Sequence, residues 1–245
     1  MSGHSKWNNI KRKKEKTDGA RAKVFTKIGR EIAVAVKEGG GNPASNSKLA
    51  ALIAKAKANS VPNDNIQRII KRAEGGDKTE YEAMTYEGYG PGGIAVMVET
   101  LTDNRNRTVA DVRHYFDKYG AGLGNAGCVS WQFEQKGVLI IERGDLDEDE
   151  TMMTVLDAGA DDFQADEDCF QIYTAPEDFS AVRDALTEAG FEFAQAEIQM
   201  VPQNTITLES QEDMAQLRKL LDSLEDNDDV QHVWHNWENE DDYEE

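Results

Sequence analysis

Long apolar runs and cysteines are both scarce in this chain of 245 residues, and each scarcity removes a class of protein. The longest apolar stretches, 49–54 and 94–98, are far shorter than the roughly 20 residues that a membrane-spanning helix needs. Cys128 and Cys169 are too few for a disulfide framework, which indicates buried thiols in a reducing compartment. The N-terminal residues have no apolar core of the kind that a secretory signal contains. We therefore expect a cytoplasmic globular protein with no membrane partner.

Signatures of catalysis are equally scarce. Gly-x-Gly-x-x-Gly occurs at 88–93 and at 122–127, but neither copy stands between a strand and a helix, as a dinucleotide site requires. Both are expected to form turns with positive φ angles. His232 and His235 fall on a predicted strand and point to opposite faces, which does not suit a shared metal. We expect no catalytic residue, cofactor, metal or small-molecule substrate, with an unrecognised hydrolase or transferase site between domains as the minor alternative.

What the chain does contain is charge of both signs, unevenly placed. Residues 1–78 carry 18 Lys and Arg against 7 Asp and Glu, a net charge of +11. The rest of the chain carries 9 Lys and Arg against 40 Asp and Glu, a net charge of −31. A basic head on an acidic body predicts an anionic partner for the head.

The basic head begins with a segment that has little apolar content apart from Trp7 and Ile10. Its Lys-Arg-Lys-Lys run at 11–14 either orders on a partner or is an ordinary solvated tail.

The periodicity then predicts a helix over 20–37. One side of it is apolar and the opposite side is basic. The apolar positions are Val24, Phe25, Ile28, Ile32, Ala35 and Val36, and the basic ones are Lys23, Lys27, Arg30 and Lys37. A stripe of a single sign costs self-repulsion, which bound phosphates would offset.

Two further helices follow, over about 45–59 and 62–74, separated by glycine and proline signals. The last of them turns Ile66, Ile69, Ile70 and Ala73 inward and presents a second basic face of Arg68, Lys71 and Arg72. Three helices with short links predict a small bundle over roughly 20–76.

The remainder reads as alternating strands and helices. Strands are predicted at 82–89, 94–101, 129–133 and 138–142, and from 137 to 200 the order is β-α-β-β-α-β, the ferredoxin-like pattern. A strand, helix and strand over 205–234 supply the missing half of the unit that begins at 82. The predicted division is a basic helical domain (1–78), a discontinuous middle domain (79–128 plus 203–238), an inserted α/β domain (129–202) and a disordered acidic tail (239–245).

The polar run 103–108 offers a possible second contact, because Arg105 and Arg107 stand together at a predicted strand-to-helix junction. Guanidinium groups bind phosphates or carboxylates in a bidentate manner. Helix capping with internal arginine–acid pairs is the alternative interpretation.

Several long blocks resemble one family. The segments GHSKW, FTKIGREI, GGG-Asn-Pro, YEGYGPGG, LTDNRNRTVADVRHYF and DDVQHVWHN are together similar to the YebC/PmpR family over essentially the whole chain. The resemblance implies an α+β fold, in which an N-terminal three-helix bundle precedes two ferredoxin-like α/β domains and the last is inserted into the middle one. It also implies a non-enzymatic role in gene expression. Bacterial members are described as DNA-binding transcriptional regulators. Others, including mitochondrial activators of cytochrome oxidase synthesis, are associated with the ribosome and with translation of proline-rich stretches.

The main hypothesis is therefore a nucleic-acid-binding regulator. Its predicted contacts are Lys6, Trp7, Lys11, Arg12, Lys13, Lys14, Lys23, Lys27, Arg30, Arg68, Lys71 and Arg72. Trp7 either stacks on a base or anchors the tail on its own bundle. Duplex DNA, and ribosomal RNA or tRNA on the ribosome, both stay open as targets. A protein-interaction factor whose acidic domains bind a basic protein is the alternative from another class.

Overall fold

The computed structural model describes Trp7 and residues 18–243. In chain order their helices and strands are α1 (Asp18–Gly39), α2 (Ser47–Ala58), α3 (Asn63–Glu74), β1 (Glu82–Tyr89), β2 (Ala95–Thr102), α4 (Arg105–Tyr119), β3 (Phe133–Glu142), α5 (Glu148–Asp157), β4 (Asp162–Ala165), β5 (Cys169–Thr174), α6 (Phe179–Glu188), β6 (Gln195–Pro202), α7 (Gln211–Asp226) and β7 (Val230–His235). No helix among them is both long and apolar enough to cross a membrane.

The first three helices pack around a common apolar core, as the periodicity predicts. Ile28 and Ile32 of α1 meet Leu49 of α2 and Ile66 and Ile70 of α3, all buried. Burying each of these side chains contributes about 1.5 to 3 kcal/mol.

Asn46 fixes the joint between α1 and α2. Its Oδ1 accepts from Leu49 N at 3.0 Å and caps α2, while its Nδ2 donates to Ala35 O at 2.8 Å. Asn46 suits this buried position because its amide satisfies both helices at once.

A three-stranded antiparallel sheet in the order β1-β2-β7 follows. Helices α4 and α7 cover one face, where Val96 and Val98 pack against Phe116 and Leu217. The other face places Met97 against Phe133. Strand β2 is thus buried on both sides, which explains the nearly continuous apolar run 94–98 that predicted a central strand.

The second sheet has four antiparallel strands in the order β4-β5-β3-β6. Alternate residues of β3 face opposite ways, as a strand requires. Leu139 and Ile141 pack with Val155 of α5 and Val182 of α6. The order of elements in this unit, strand–helix–strand–strand–helix–strand, is the predicted one.

The predicted strands 129–133 and 138–142 are in fact one strand, β3, preceded by a short 3-10 turn at Ser130–Gln132. Gly137 reads as a break in the sequence, but it lies within the strand. A Cβ there would collide with Thr174 and Phe179, so the glycine permits close packing rather than a turn.

Two expectations near the C-terminus also need correction. The predicted strand 205–208 is reduced to a single parallel bridge between Ile206 and Trp237. The predicted disordered tail is packed through residue 243. Glu240 is buried and lies 3.2 Å from Arg218, while Asn239 donates to Leu208 O at 2.9 Å. Satisfied polar groups and a paired carboxylate hold this segment in place.

Candidate nucleic-acid interface

The basic stripe of α1 faces the protein's own middle domain. Lys23 Nζ lies 2.8 Å from Asp226, Lys27 Nζ donates to Glu225 O at 2.7 Å, and Arg30 Nη1 lies 2.6 Å from Asp229. Lys37 donates to Thr79 O in the linker. The self-repulsion of the stripe is therefore offset by acceptors within the chain, an outcome that helical phase alone does not predict.

Asp229 is the centre of this contact. Its buried carboxylate accepts from Arg30, from Arg107 Nη2 at 2.8 Å and from Thr108 Oγ1 at 2.7 Å. Arg30 also donates to Leu101 O at 2.9 Å. Burial acts to raise the pKa of Asp229, but hydrogen bonds from Thr108, Arg107 and Arg30 outweigh it and the pKa is lowered. The charged carboxylate of Asp229 thus connects the helical bundle to the domain that holds the three-stranded sheet.

Helix α3 presents the predicted second basic face outward. Arg68, Lys71 and Arg72 are exposed, while Ile66 and Ile70 on the other side of the helix are buried. Arg68 Nη1 donates to Asn65 at 3.3 Å. Lys71 has no hydrogen-bond or ion-pair partner among the described residues. These cations remain accessible to a ligand.

Arg72 is the member of this face that carries an ion pair. Its Nε lies 2.7 Å from Asp77, and 73% of the side chain is nevertheless exposed. An exposed pair of this kind contributes little, so the guanidinium can exchange its partner at low cost.

The two arginines of the polar run 103–108 have different surroundings. Arg107 is held by Asp229 and by Asp103 at 2.9 Å, and these hydrogen bonds raise its pKa. Arg105 is 70% exposed and lies 3.6 Å from Glu82. Both arginines therefore have internal acid partners, but the exposed pair of Arg105 contributes little and can exchange for an external partner. Asn104 caps α4 by accepting from Arg107 N at 3.1 Å.

Trp7 does not anchor the N-terminal segment on its own bundle, which was one of the two predictions. Its ring is 3% exposed and packs with Val138, Ile140, Cys169 and Tyr173 on the face of the second sheet opposite α5 and α6. A base could stack on this ring only if the packing opened. The predicted contacts Lys6, Lys11, Arg12, Lys13 and Lys14 lie outside the described residues.

The glycine motifs take part in turns, as the sequence predicts. Gly92 and Gly93 have φ angles of 66° and 79°, a region that side chains disfavour. Beside them Glu87, which is buried, accepts hydrogen bonds from the amides of Gly127, Val129 and Ser130, each at 2.8 Å. Burial acts to raise the pKa of Glu87, but these three amides lower it. The amides of Val129 and Ser130 are thereby unavailable for strand pairing, which keeps these two residues out of β3.

The two histidines of β7 meet different carboxylates. His232 lies 3.9 Å from Glu31 and stacks on Trp234, while His235 lies 3.3 Å from Glu240. Among the residues that the structure describes, no three His, Cys, Asp or Glu side chains are grouped so as to hold a metal ion.

A cleft of about 690 Å³ separates the bundle from β6 and β7. Lys23, Gln199, His232 and Trp234 contribute to its walls. Tyr173, also in its wall, donates to Gln171 Oε1 at 2.9 Å, and burial raises the pKa of its hydroxyl. This tyrosine is fixed as a hydrogen-bond donor, so the cleft suits polar binding better than proton transfer.

These features define a class of α+β protein with two antiparallel sheets, in which ion pairs join a basic helical bundle to the domain that holds the first sheet. Residues 5–76 match the family model described as the TACO1/YebC protein N-terminal domain, and residues 81–237 match the TACO1/YebC second and third domain. The chain belongs to the TACO1/YebC family.

Relatives and a solved structure agree with this placement. A "probable transcriptional regulatory protein" of Acetivibrio thermocellus is 58% identical, over 92% of this chain and 94% of the relative. One with the same description from Clostridium tetani is 56% identical, over 93% of each chain. The crystal structure of conserved hypothetical protein Aq1575 from Aquifex aeolicus aligns with a TM-score of 0.81 and 42% identity, covering 91% of this chain and 92% of that one.

Two residues of this region were not predicted. Asp229 stands in an acid-rich stretch, 225–229, where nothing in the sequence separates it from its neighbours. Glu87 lies on an alternating strand, and its amide partners are about 40 residues further on. Glu87 could have been identified only as a charged residue at a position where the strand pattern predicts burial.

Proposed function

We propose that this protein is a transcriptional regulator that acts in the cytoplasm by binding duplex DNA through its basic N-terminal domain, without catalysing a reaction. The observation that carries the proposal is the exposed cationic face of α3, formed by Arg68, Lys71 and Arg72. Beyond residue 78 the chain has a net charge of −31 and would repel nucleic acid. The regulatory role is suggested by the descriptions of the relatives.

The five cations that lie outside the described residues (Lys6, Lys11, Arg12, Lys13 and Lys14) belong to the proposed contact surface on charge alone. Lys23, Lys27 and Arg30 remain proposed contacts, but each already has a partner within the chain. In the described arrangement a phosphate would have to displace Asp226, the Glu225 carbonyl or Asp229 from each of them. Arg105 is a further proposed contact on the middle domain.

Ribosomal RNA is the second candidate ligand, because the cationic face of α3 fits it as well as it fits duplex DNA. Arg68, Lys71 and Arg72 suit phosphates rather than base edges, and duplex DNA and ribosomal RNA share those phosphates. A translation role on the ribosome would follow from RNA binding.

The proposal is tested by binding of the full chain to a duplex DNA and to purified ribosomes. Arg68→Glu/Lys71→Glu should weaken binding by about tenfold or more, because reversal replaces two phosphate contacts with repulsion.

Arg113→Glu/Lys219→Glu is the matched control, since it changes the net charge equally at two exposed positions of the middle domain. The control should stay within about twofold of the wild type. Equal losses in both variants would contradict the assignment to α3. Binding to ribosomes but not to DNA would replace the DNA proposal with the RNA one.

We also infer the division 1–78, 79–128 with 203–238, 129–202 and 239–245. It is supported by β7, which returns to pair with β2 after β3 to β6 have formed their own sheet. The strand order β4-β5-β3-β6 supports a ferredoxin-like description of the inserted unit. The middle unit fits that description with its fourth strand reduced to the Ile206–Trp237 bridge.

A further inference from the structure

One short segment of the acidic body is unusually apolar on its outer side. Six large apolar side chains are exposed among the described residues, and four of them lie within 146–156. They are Leu146, Met152, Met153 and Leu156, and Met153 is 65% exposed. Singly exposed apolar residues are normal, but a cluster on one element marks an interaction surface.

Helix α5 carries three of these four residues. Its inner side buries Thr151 and Val155 against the core. At about 100° per residue, Met152, Leu156 and Met153 form a neighbouring sector of roughly 100°. The helix therefore has two apolar faces, of which its own domain covers one.

The surroundings of this outer face are entirely acidic in sequence. Residues 144–182 contain 13 Asp and Glu and no Lys, Arg or His. On the helix itself, the exposed Asp149 falls within this sector one turn before Met153, and the exposed Asp157 borders it. The two arginines that flank this stretch are both paired with acids, Arg143 with Glu148 at 2.9 Å and Arg183 with Asp184 at 2.7 Å. Any ligand of this face must therefore bind in the strongly negative electrostatic potential of these carboxylates.

We propose that the outer face of α5, formed by Leu146, Met152, Met153 and Leu156, is a docking site for a cationic amphipathic segment of a partner protein. The apolar side chains require apolar anchors, and the surrounding carboxylates require Lys or Arg around those anchors. Nucleic acids and anionic membranes are repelled by the same carboxylates, and so is a second copy of this face. Methionine side chains adapt to anchors of different shape, which suits a helical peptide in this position.

This site is independent of the nucleic-acid proposal, because it lies on another domain and binds the opposite charge. The direct probe is a labelled synthetic peptide of roughly 18 residues with Leu at helical i, i+3, i+4, i+7 spacing and Lys elsewhere. Its affinity for the full chain is measured by fluorescence anisotropy. Met153→Gln/Leu156→Gln should weaken binding about tenfold, since both anchors lose their apolar contacts.

The matched control is Trp131→Gln/Ile198→Gln, which removes the other two exposed large apolar side chains. It should leave affinity and melting temperature unchanged. A second variant, Asp149→Asn/Asp157→Asn, should weaken binding at low salt and flatten its salt dependence. The single change Met153→Gln, at the most exposed position of the face, serves if the double variant melts early.

Three results would overturn the proposal. One is equal loss of affinity in the α5 pair and the control pair. Another is undiminished binding of a peptide with Ser in place of Leu, which would reduce the interaction to charge alone. A third is concentration-dependent self-association that the α5 pair abolishes, which would assign the face to a second copy of the chain.

Discussion

At the scale of single residues, Asp229 is a buried carboxylate that two arginines share. Two arginines from different parts of the chain, Arg30 and Arg107, converge on one buried carboxylate together with Thr108. Removing one partner of a buried ionic group leaves the others unsatisfied, which costs more than the pair itself contributes. Asp229 should therefore matter more to stability than any exposed acid around it.

Asp229→Asn is expected to lower the free energy of unfolding by about 2 to 3 kcal/mol, because Arg30 and Arg107 lose the charged acceptor that they share. Asp226→Asn provides the control, since Asp226 is 75% exposed and its pair with Lys23 is worth roughly 0.5 kcal/mol or less. Urea denaturation at neutral pH measures both. Equal effects of the two substitutions would show that Asp229 does not pin the domains.

The lowered pKa of Glu87 predicts that the stability of the folded protein depends on pH. Its folded pKa is depressed, so its contribution to stability is present above the ordinary value of 4.5 and is lost as the pH falls through the folded pKa. Glu87→Gln should cost about 2 kcal/mol at pH 7, because three backbone amides lose a charged acceptor.

The difference in stability between wild type and Glu87→Gln should shrink as the pH falls below 4.5, where the wild-type carboxylate also becomes protonated. Denaturation curves at a series of pH values measure it. A difference that stays constant to pH 3 would mean that the charge on Glu87 does not stabilise the loop.

At the scale of elements, Trp7 and helix α1 contact different sheets. Trp7 packs on the second sheet, while α1 is pinned to the first by its cations. Trp7→Ala should lower the free energy of unfolding by about 3 kcal/mol or more, as expected for a buried tryptophan. Trp131→Ala, at a tryptophan that is 66% exposed, should have a far smaller effect. Thermal melting of the two variants compares them, and similar shifts would contradict the burial of Trp7.

The role of the basic stripe on α1 can be tested by exchanging the charges of the Lys23–Asp226 ion pair. Lys23→Glu should disturb the contact with Asp226, and Lys23→Glu/Asp226→Lys should restore it with the charges reversed. If Lys23 serves only to dock the bundle, the double variant recovers the wild-type affinity for duplex DNA. Loss of affinity that persists in the double variant would show that Lys23 contacts phosphate directly.

Sequence patterns predicted elements well where the reason for a pattern is local. The two faces of α3 and the double burial of β2 follow from periodicity, because it reports which side chains share a face. The partner of each face is a long-range property. The cations of α1 suggested phosphate, but Asp226 and Asp229 lie about 200 residues further along the chain. For the same reason, the sequence could not predict that Glu87 accepts hydrogen bonds from the amides of Val129 and Ser130.

At the scale of the whole molecule, the two charge domains are in contact with each other. The acidic middle domain binds one side of the basic head, and α3 stays open on another. The ion pairs with the middle domain neutralise part of the positive charge of the basic head and weaken its electrostatic field. Fewer cations therefore face a ligand than the sequence count suggests. The proposed nucleic-acid surface is accordingly small, and its electrostatic signature should be correspondingly modest.

The most direct test of this account is the salt dependence of duplex DNA binding. If about five phosphates are contacted, the log–log slope of affinity against salt should be near roughly −4. Arg68→Glu/Lys71→Glu should reduce the slope by about 2, since each lost phosphate contact removes nearly one unit, while Arg113→Glu/Lys219→Glu should leave it unchanged. A wild-type slope near zero, or one that the α3 variant does not alter, would contradict nucleic-acid binding through the α3 face.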